Sequence, residues 1–507
     1  MNRVGTAAVA LLLTTNLSTG QEAPTGATPR PPAHPRQLRF ADSDWTPPRA
    51  GEARVALAGG ATAFLVSDHT LPLVDIVVVA RAGAFLDPVD LRGVSDLTAT
   101  LLRRGGTLEL EPDLFDQRAD ELGAVLTSQA TMLYGAASLR CTSDLLPQAV
   151  ELFFDMIEHP RFAPDRVAGI KRNLAEGLGR RNLDALRVLA REWDWLQFGE
   201  NHFSTRPMRA QDLDRLTPEV LAEFHRRHWQ PGDLKLAVAG DIEEEQLRSL
   251  VDPRLEAWSS AVDSSASSAW PPPGPKSSGQ AGLFHLAADI PQAKVAVGHR
   301  APPDLPSVEE RIRLEVLAEI LGGGGAISRL NGRLRSAEGL VYRASARLDP
   351  GDLWPADYQL FFDTLDRNTP RALEALLEEV DRMLSTTPHP EELAIVKREL
   401  IARRLRDFDT AEEAAGYLVE DALVGRDEAY RSEYSRILDA VTVNDVLETA
   451  RRHLRRDALT VLVVGRWPEL AGPVDSQGVT RLERLVGQRV VHLPVRDALS
   501  LEPLPSG

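Results

Sequence analysis

Apolar residues at Leu146, Val150, Phe153 and Ile157 recur at the interval of a helix with one buried face, and Pro147 suits its first turn. Ala372, Leu373, Leu376, Leu377, Val380 and Met383 repeat the pattern later in the chain. Elsewhere the period shortens. "GLVYRASARL" and "YQLFFDTL" alternate and predict strands, and in the first of them Leu340, Tyr342, Ala344 and Ala346 fall on one face. In each half of the chain the coarse order is strand, helix, strand pair, long helical region and final strand. That order, with hairpin-like neighbours, predicts an α+β class: a mixed sheet covered on one face by helices.

The pattern occurs twice. "LPLVDIVVVARAG" is matched by "IPQAKVAVGHRAP", and "FAPDRVAGIKRNL" by "PHPEELAIVKREL", with Pro, Lys-Arg and Leu in corresponding places. "HWQPGDLKLAVAGD" is matched by "HLRRDALTVLVVGR"; His228 stands as far from Gly240 as His453 does from Gly465. Matched segments in the same order imply a duplicated α/β unit. The halves span 51–258 and 283–500, and the Ser/Pro-rich stretch 259–282 reads as their linker.

The N-terminus changes the picture in one respect. Arg3 precedes an apolar run from Ala7 to Leu13, with small polar residues after it, so 1–20 reads as a signal peptide. Residues 21–50 form a Pro-rich flexible lead-in. Export, to a periplasm-like compartment, is the expectation, and no later run is long enough to span a bilayer.

The 507 residues are 43% apolar and 26% charged, ordinary for globular cores, and the net charge of -16 disfavours nucleic acid as a partner. The single cysteine, Cys141, excludes an internal disulfide and reads as a small buried filler near a strand end.

"LGGGGAISRL", beginning at Leu321, invites comparison with phosphate-binding loops. A helical segment rather than a strand precedes it, and no lysine follows at the required place, so a nucleotide site is rejected. A flexible turn with room for close approach is the better reading for Gly323, Gly324 and Gly325. The wider stretch "ILGGGGAISRLNGRLRSAEGLVYRA" closely resembles the second-half signature of the M16 (pitrilysin/insulinase) metallopeptidases, in particular the two-unit M16B type. "LPLVDIVVVARAGAFLDP", "FGENHFSTRP" and "LTPEVLAEFHRRHWQPGDLKLAVAGDI" extend the resemblance over nearly the whole chain beyond the lead-in.

The resemblance implies two homologous α/β sandwich halves joined by a linker. Active members carry His-x-x-Glu-His on the first helix, where two imidazoles hold Zn²⁺ and the glutamate acts as base. In "GVSDLTATLLRRGGT" those positions are Asp96, Ala99 and Thr100, and the distant ligand position falls on Gly177, beside Glu176. This half is therefore expected to be free of metal. His225 and His228 lie three apart on a predicted helix, but with no third ligand nearby they read as packing or solvated residues.

What the resemblance retains is Arg335 and Tyr342, the family's substrate-contacting pair. Arg335 is expected near the end of a helix that starts at Ser328 and stops at Gly339. Both side chains can donate to a peptide carbonyl. From spacing alone, an Arg335–Glu338 surface pair and a half-buried strand tyrosine are the better readings, and the resemblance reverses that preference. The expectation is a non-catalytic, substrate-binding subunit with no cofactor of its own. Its partner would be an M16B chain with an intact zinc motif, and an unfolded peptide the substrate. A structural subunit like the respiratory-complex core proteins, or a peptide-binding protein without hydrolysis, is the alternative.

Overall fold

The computed structural model describes residues 49–261, 270–277, 279–323, 325, 328–406 and 408–505. The signal-peptide expectation, nearly all of the lead-in and Gly324 lie outside them.

Among the described residues, twelve strands form two six-stranded sheets. The first is built from β1 (Arg54–Ala56), β2 (Thr62–Ser67), β3 (Leu73–Ala80), β4 (Val125–Ala130), β5 (Gly135–Thr142) and β6 (Lys235–Gly240). The second contains β7 (Gly282–Ala287), β8 (Gln292–Arg300), β9 (Val341–Leu348), β10 (Asp357–Leu365), β11 (Thr460–Gly465) and β12 (Val490–Leu493). Their orders are β1-β2-β6-β3-β5-β4 and β12-β7-β11-β8-β10-β9. Five strands of each sheet correspond one to one. In both, the last strand of the repeat inserts centrally, parallel to one neighbour and antiparallel to the other. The duplicated segments of the sequence are thus duplicated in space. The outermost strands differ: β1 pairs antiparallel with β2, whereas β12 pairs parallel with β7.

The principal helices are α1 (Val94–Arg104), α2 (Leu146–Glu158), α3 (Pro164–Arg180), α4 (Ala185–Phe198), α5 (Pro218–His228), α6 (Val308–Ala318), α7 (Thr369–Ser385), α8 (Pro390–Arg406), α9 (Ala411–Val424) and α10 (Val443–His453). Leu97 and Leu101 of α1 and Phe153 and Ile157 of α2 pack with Ile76 and Val78 of β3, giving the first core. Leu376 and Val380 of α7 and Val446 of α10 do the same against Val295 and Val297 of β8.

The expectation of one covered face per sheet needs correction. The second face of each sheet is also apolar, and the opposite half covers it. Val188, Leu189, Trp193 and Leu196 of α4 pack on Phe284, Ala296, Leu462 and Val464 of the second sheet. Ala415, Leu418, Val419 and Leu423 of α9 pack on Phe64, Val79 and Ala237 of the first. Each Leu or Val buried in this way contributes roughly 1.5–3 kcal/mol. The exchange therefore binds the halves into one body, which local periodicity cannot reveal.

The two cores solve one packing problem differently. Gly135 in β5 lies against the Trp229 ring, and a β-carbon there would collide with it. At the corresponding place in β10 stands Tyr358, fully buried, whose hydroxyl meets His453 Nδ1 at 2.9 Å. His453 Nε2 in turn reaches Glu310 Oε1 at 2.7 Å. Cys141 is a buried β5 residue whose thiol is pushed up to about 11 by burial, in keeping with a filler.

Candidate functional site

Arg335 sits in a wide π-helical turn, Asn331–Ala337, that continues the short helix after Ser328. Gly339, at φ 60°, ends it. Single π turns of this kind accommodate an extra residue and re-aim side chains. Here Leu334 is buried while Arg335 is exposed.

Tyr342 is displaced from the face on which alternation puts it. Ala344 and Ala346 are buried, but Tyr342 is 75% exposed. The cause is a β-bulge. Asp363 pairs with Arg343 and Thr364 with Val341, so Tyr342 is the extra residue between them. Val341 points inward, Tyr342 and Arg343 outward, and Ala344 inward again. The bulge turns the phenol toward the Arg335 turn, and the Arg335 guanidinium carbon lies 5.6 Å from the Tyr342 ring centroid. The two residues that the sequence singled out are brought together.

Arg335 does not pair with Glu338. That carboxylate accepts from Arg371 Nε and Nη2 at 2.8 Å each, and from Arg333 Nε at 3.1 Å. Arg333 also meets Glu378 and Glu379. Among the described residues, Arg335 forms no ion pair and the Tyr342 hydroxyl no hydrogen bond. Both donors remain free to meet a ligand carbonyl.

The glycine run holds this region close to β9. A β-carbon on Gly322 would collide with the backbone of Ser345 and Ala346, so this glycine, which the sequence reading did not single out, permits the close approach. Gly323 faces the Glu319 carboxylate, and Gly325 is left-handed with open space around it. Asn331, also not singled out, clamps the strand: its Nδ2 donates to Ala344 O at 2.8 Å, and its Oδ1 accepts from Ala344 N at 3.1 Å. An Asn in a turn before a strand gives no such signal in sequence.

In the first half, α1 carries Asp96 exposed, Ala99 fully buried and Thr100 half-buried. Asp96 is exposed at its surface, yet the surrounding protein desolvates its carboxyl enough to lift it above the usual range. Ser128 of β4 donates to Ala99 O at 2.5 Å and accepts from Arg103 N at 3.1 Å, which fastens the edge strand to the helix at the degenerate motif. A β-carbon on Gly177 would meet nothing within 4 Å, and Glu176 pairs at the surface with Arg180 at 3.6 Å. One carboxylate, one alanine, one threonine and one glycine supply neither the donors nor the base that a zinc centre requires. The residues do not fit the ion.

The duplicate of this place in the second half is filled differently. By the repeat, Glu315, Ala318 and Glu319 stand where Asp96, Ala99 and Thr100 do, and Arg403 of α8 stands where Gly177 does. Glu319 pairs with Arg403, and Glu315 accepts from Tyr434 Oη at 2.7 Å and from Tyr430. An ion-pair and phenol lattice occupies the position. Among the described residues, no group of three or more His, Cys, Asp or Glu is placed to hold a metal.

His225 is buried and bonds Ile157 O through Nε2 at 2.7 Å; burial depresses it to about 4. His228 packs on Phe224 at 4.6 Å between ring centroids and is likewise lowered to about 4, chiefly by desolvation. Each has a packing role.

Residues 62–181 match the family description "Insulinase (Peptidase family M16)", and residues 215–400 match "Peptidase M16 inactive domain". An uncharacterised zinc protease of Mycobacterium tuberculosis (strain ATCC 25618 / H37Rv) is 28% identical over 305 residues, 58% of this chain and 66% of that protein. The match therefore spans just under two thirds of the relative's own length. Subunit 1 of the mitochondrial cytochrome b-c1 complex of Bos taurus is 23% identical over 261 residues, 48% of this chain and 49% of that one.

Two solved structures share the fold. A peptidase M16 inactive domain from Pseudomonas fluorescens superposes with a TM-score of 0.73 at 21% identity, covering 82% of this chain and 98% of that one. The periplasmic protease PqqL from Escherichia coli gives 0.69 at 16% identity, covering 85% and 48%. With both family descriptions matched in order and the two-sheet fold in common, this chain belongs to the M16 peptidase family, of the inactive-domain kind.

Proposed function

We infer that this chain is the non-catalytic, substrate-binding subunit of a two-chain M16B-type zinc peptidase. One observation carries the reading. Arg335 and Tyr342 converge at the surface with their donors unengaged, while the zinc-motif positions of the same chain lack the groups to hold or use a metal. The partner would be a similar chain with intact His-x-x-Glu-His, and the zinc would be its own. Its peptide substrate would present the scissile carbonyl to the guanidinium and phenol. Donors placed where negative charge develops are each worth about 10²–10³ in rate. Export, with the complex in a periplasm-like compartment, fits the N-terminal sequence. Among the described residues no helix is long and apolar enough to cross a membrane.

Similarity to a cytochrome b-c1 subunit favours a second reading, a structural or assembly subunit. Coexpression with a zinc-motif partner separates the two. Peptidase activity that falls about 10²-fold with Arg335→Ala or Tyr342→Phe supports the substrate-binding role. A stable complex indifferent to both changes supports the structural one. Peptide capture by the isolated chain, without hydrolysis in the complex, points to a binding protein.

A further inference from the structure

A cavity of about 680 Å³ opens at the far end of the second sheet, between the linker residues 274–277 and 279–281, the end of β8 and the end of α10. It lies by Asp357, whereas Tyr342 lies by Asp363; the six-residue step between them along β10 spans about 20 Å. The charged side chains lining the cavity are Lys276, Arg300, Arg452 and Arg455, and among the described lining residues there is no carboxylate. In a chain of net charge -16 this is a local reversal of sign.

Two of the four cations are already paired at the rim, Arg452 with Glu310 at 3.1 Å and Arg455 with Asp457 at 3.3 Å. Lys276 and Arg300 form no ion pair among the described residues. Arg300 is the half-buried cation of the four. It stacks on Phe198 at 4.5 Å and donates to the carbonyls of Gln197, Ser277 and Pro355 at 3.2, 3.4 and 2.7 Å. The nearest influential carboxylate, Asp357, is engaged by Trp193 Nε1 and Arg347. A cation withdrawn from water without a counter-charge is costly, and the walls of a cleft concentrate its field on whatever enters.

The walls are Pro275, Pro302 and Pro355, apolar and rigid. Inorganic phosphate matches the charge but not these walls. A carboxylate carried on a small apolar body matches both.

We propose that this cavity is a binding site for an organic carboxylate carried on a small apolar body, a peptide C-terminus or a free acid. Isothermal titration of the purified full chain tests the assignment with four probes: N-acetyl-Ala-Leu as the acid, its C-terminal amide, hexanoate and inorganic phosphate. Saturable binding of the acid, at least tenfold weaker binding of the amide, and a tenfold loss with the exposed substitution Lys276→Glu support the site. Hexanoate binding as tightly as the peptide acid supports the site and assigns it to free carboxylates. No saturable binding of either carboxylate, equal binding of acid and amide, phosphate binding as tightly as the acid, or affinity unchanged in a folded Lys276→Glu chain overturns it. Arg455→Glu, also exposed, serves as the second variant.

Discussion

The guanidinium of Arg335 lies over the ring of Tyr342, its central carbon 5.6 Å from the ring centroid, although the two side chains come from a helical turn and a strand. Both are exposed, so their mutual attraction should be small. A double-mutant cycle of Arg335→Ala and Tyr342→Ala, read by urea unfolding, is expected to give a coupling of about 0.5–1 kcal/mol. Neither single change should disturb the fold, so any large loss of activity in a complex would reflect ligand contact.

Asn331 holds both backbone groups of Ala344. Replacing it by leucine leaves a buried N–H and a buried C=O without partners, and the expected cost is about 2–4 kcal/mol. Urea denaturation midpoints would measure it. Asn331→Asp should restore the acceptor but not the donor, and fall between.

Two glycines near each other should respond in opposite ways. Gly322→Ala drives a methyl into the β9 backbone and should destabilise by about 1–3 kcal/mol. Gly332→Ala meets nothing within 4 Å in a helical turn and should be neutral or stabilising by up to about 1 kcal/mol. Thermal unfolding of the pair reads the contrast.

Asp87 caps the start of α1, accepting from Gly93 N at 2.6 Å and Ser95 N at 3.0 Å, and burial lifts its carboxyl to about 6. A pKa raised in the fold means that the native state binds the proton more tightly than the unfolded chain. The associated stability is present below about pH 4 and is lost as pH rises through 6, amounting to at most about 3 kcal/mol. Unfolding free energies across pH 4–7 should therefore flatten in Asp87→Asn relative to the wild type.

Zinc should be irrelevant to this chain alone. Added Zn²⁺ or a chelator is expected to shift the Tm by less than about one degree, because ligand binding stabilises only the state that offers a site. A shift of several degrees, with stoichiometric metal by elemental analysis, would contradict the reading of Asp96, Ala99 and Thr100.

Much of the architecture was legible because it is written twice. The matched runs ending at Arg81 and Arg300, and the equal spacing of His228–Gly240 and His453–Gly465, correspond to strands in the same places of two sheets. The strands β1, β2, β7 and β12 carry no such signal. β1 and β12 are short, and none of the four stands out by alternation alone. Arg335 and Tyr342 were identifiable from the segment around them, but their relationship was not. Strict alternation buries Tyr342 with Ala344; the bulge opposite Asp363 and Thr364 exposes it.

The order of residues along the chain determined the duplication, the missing metal donors and the helical or extended character of most segments, since these depend on neighbours a few positions apart. Tertiary structure alone decided three further things. α4 and α9 exchange between the halves, Asn331 clamps Ala344, and Lys276 and Arg300 come to share one cavity. Each of these joins groups from separate elements, and their meeting is set by sheet register and by the burial of whole apolar faces, to which no short stretch of sequence refers.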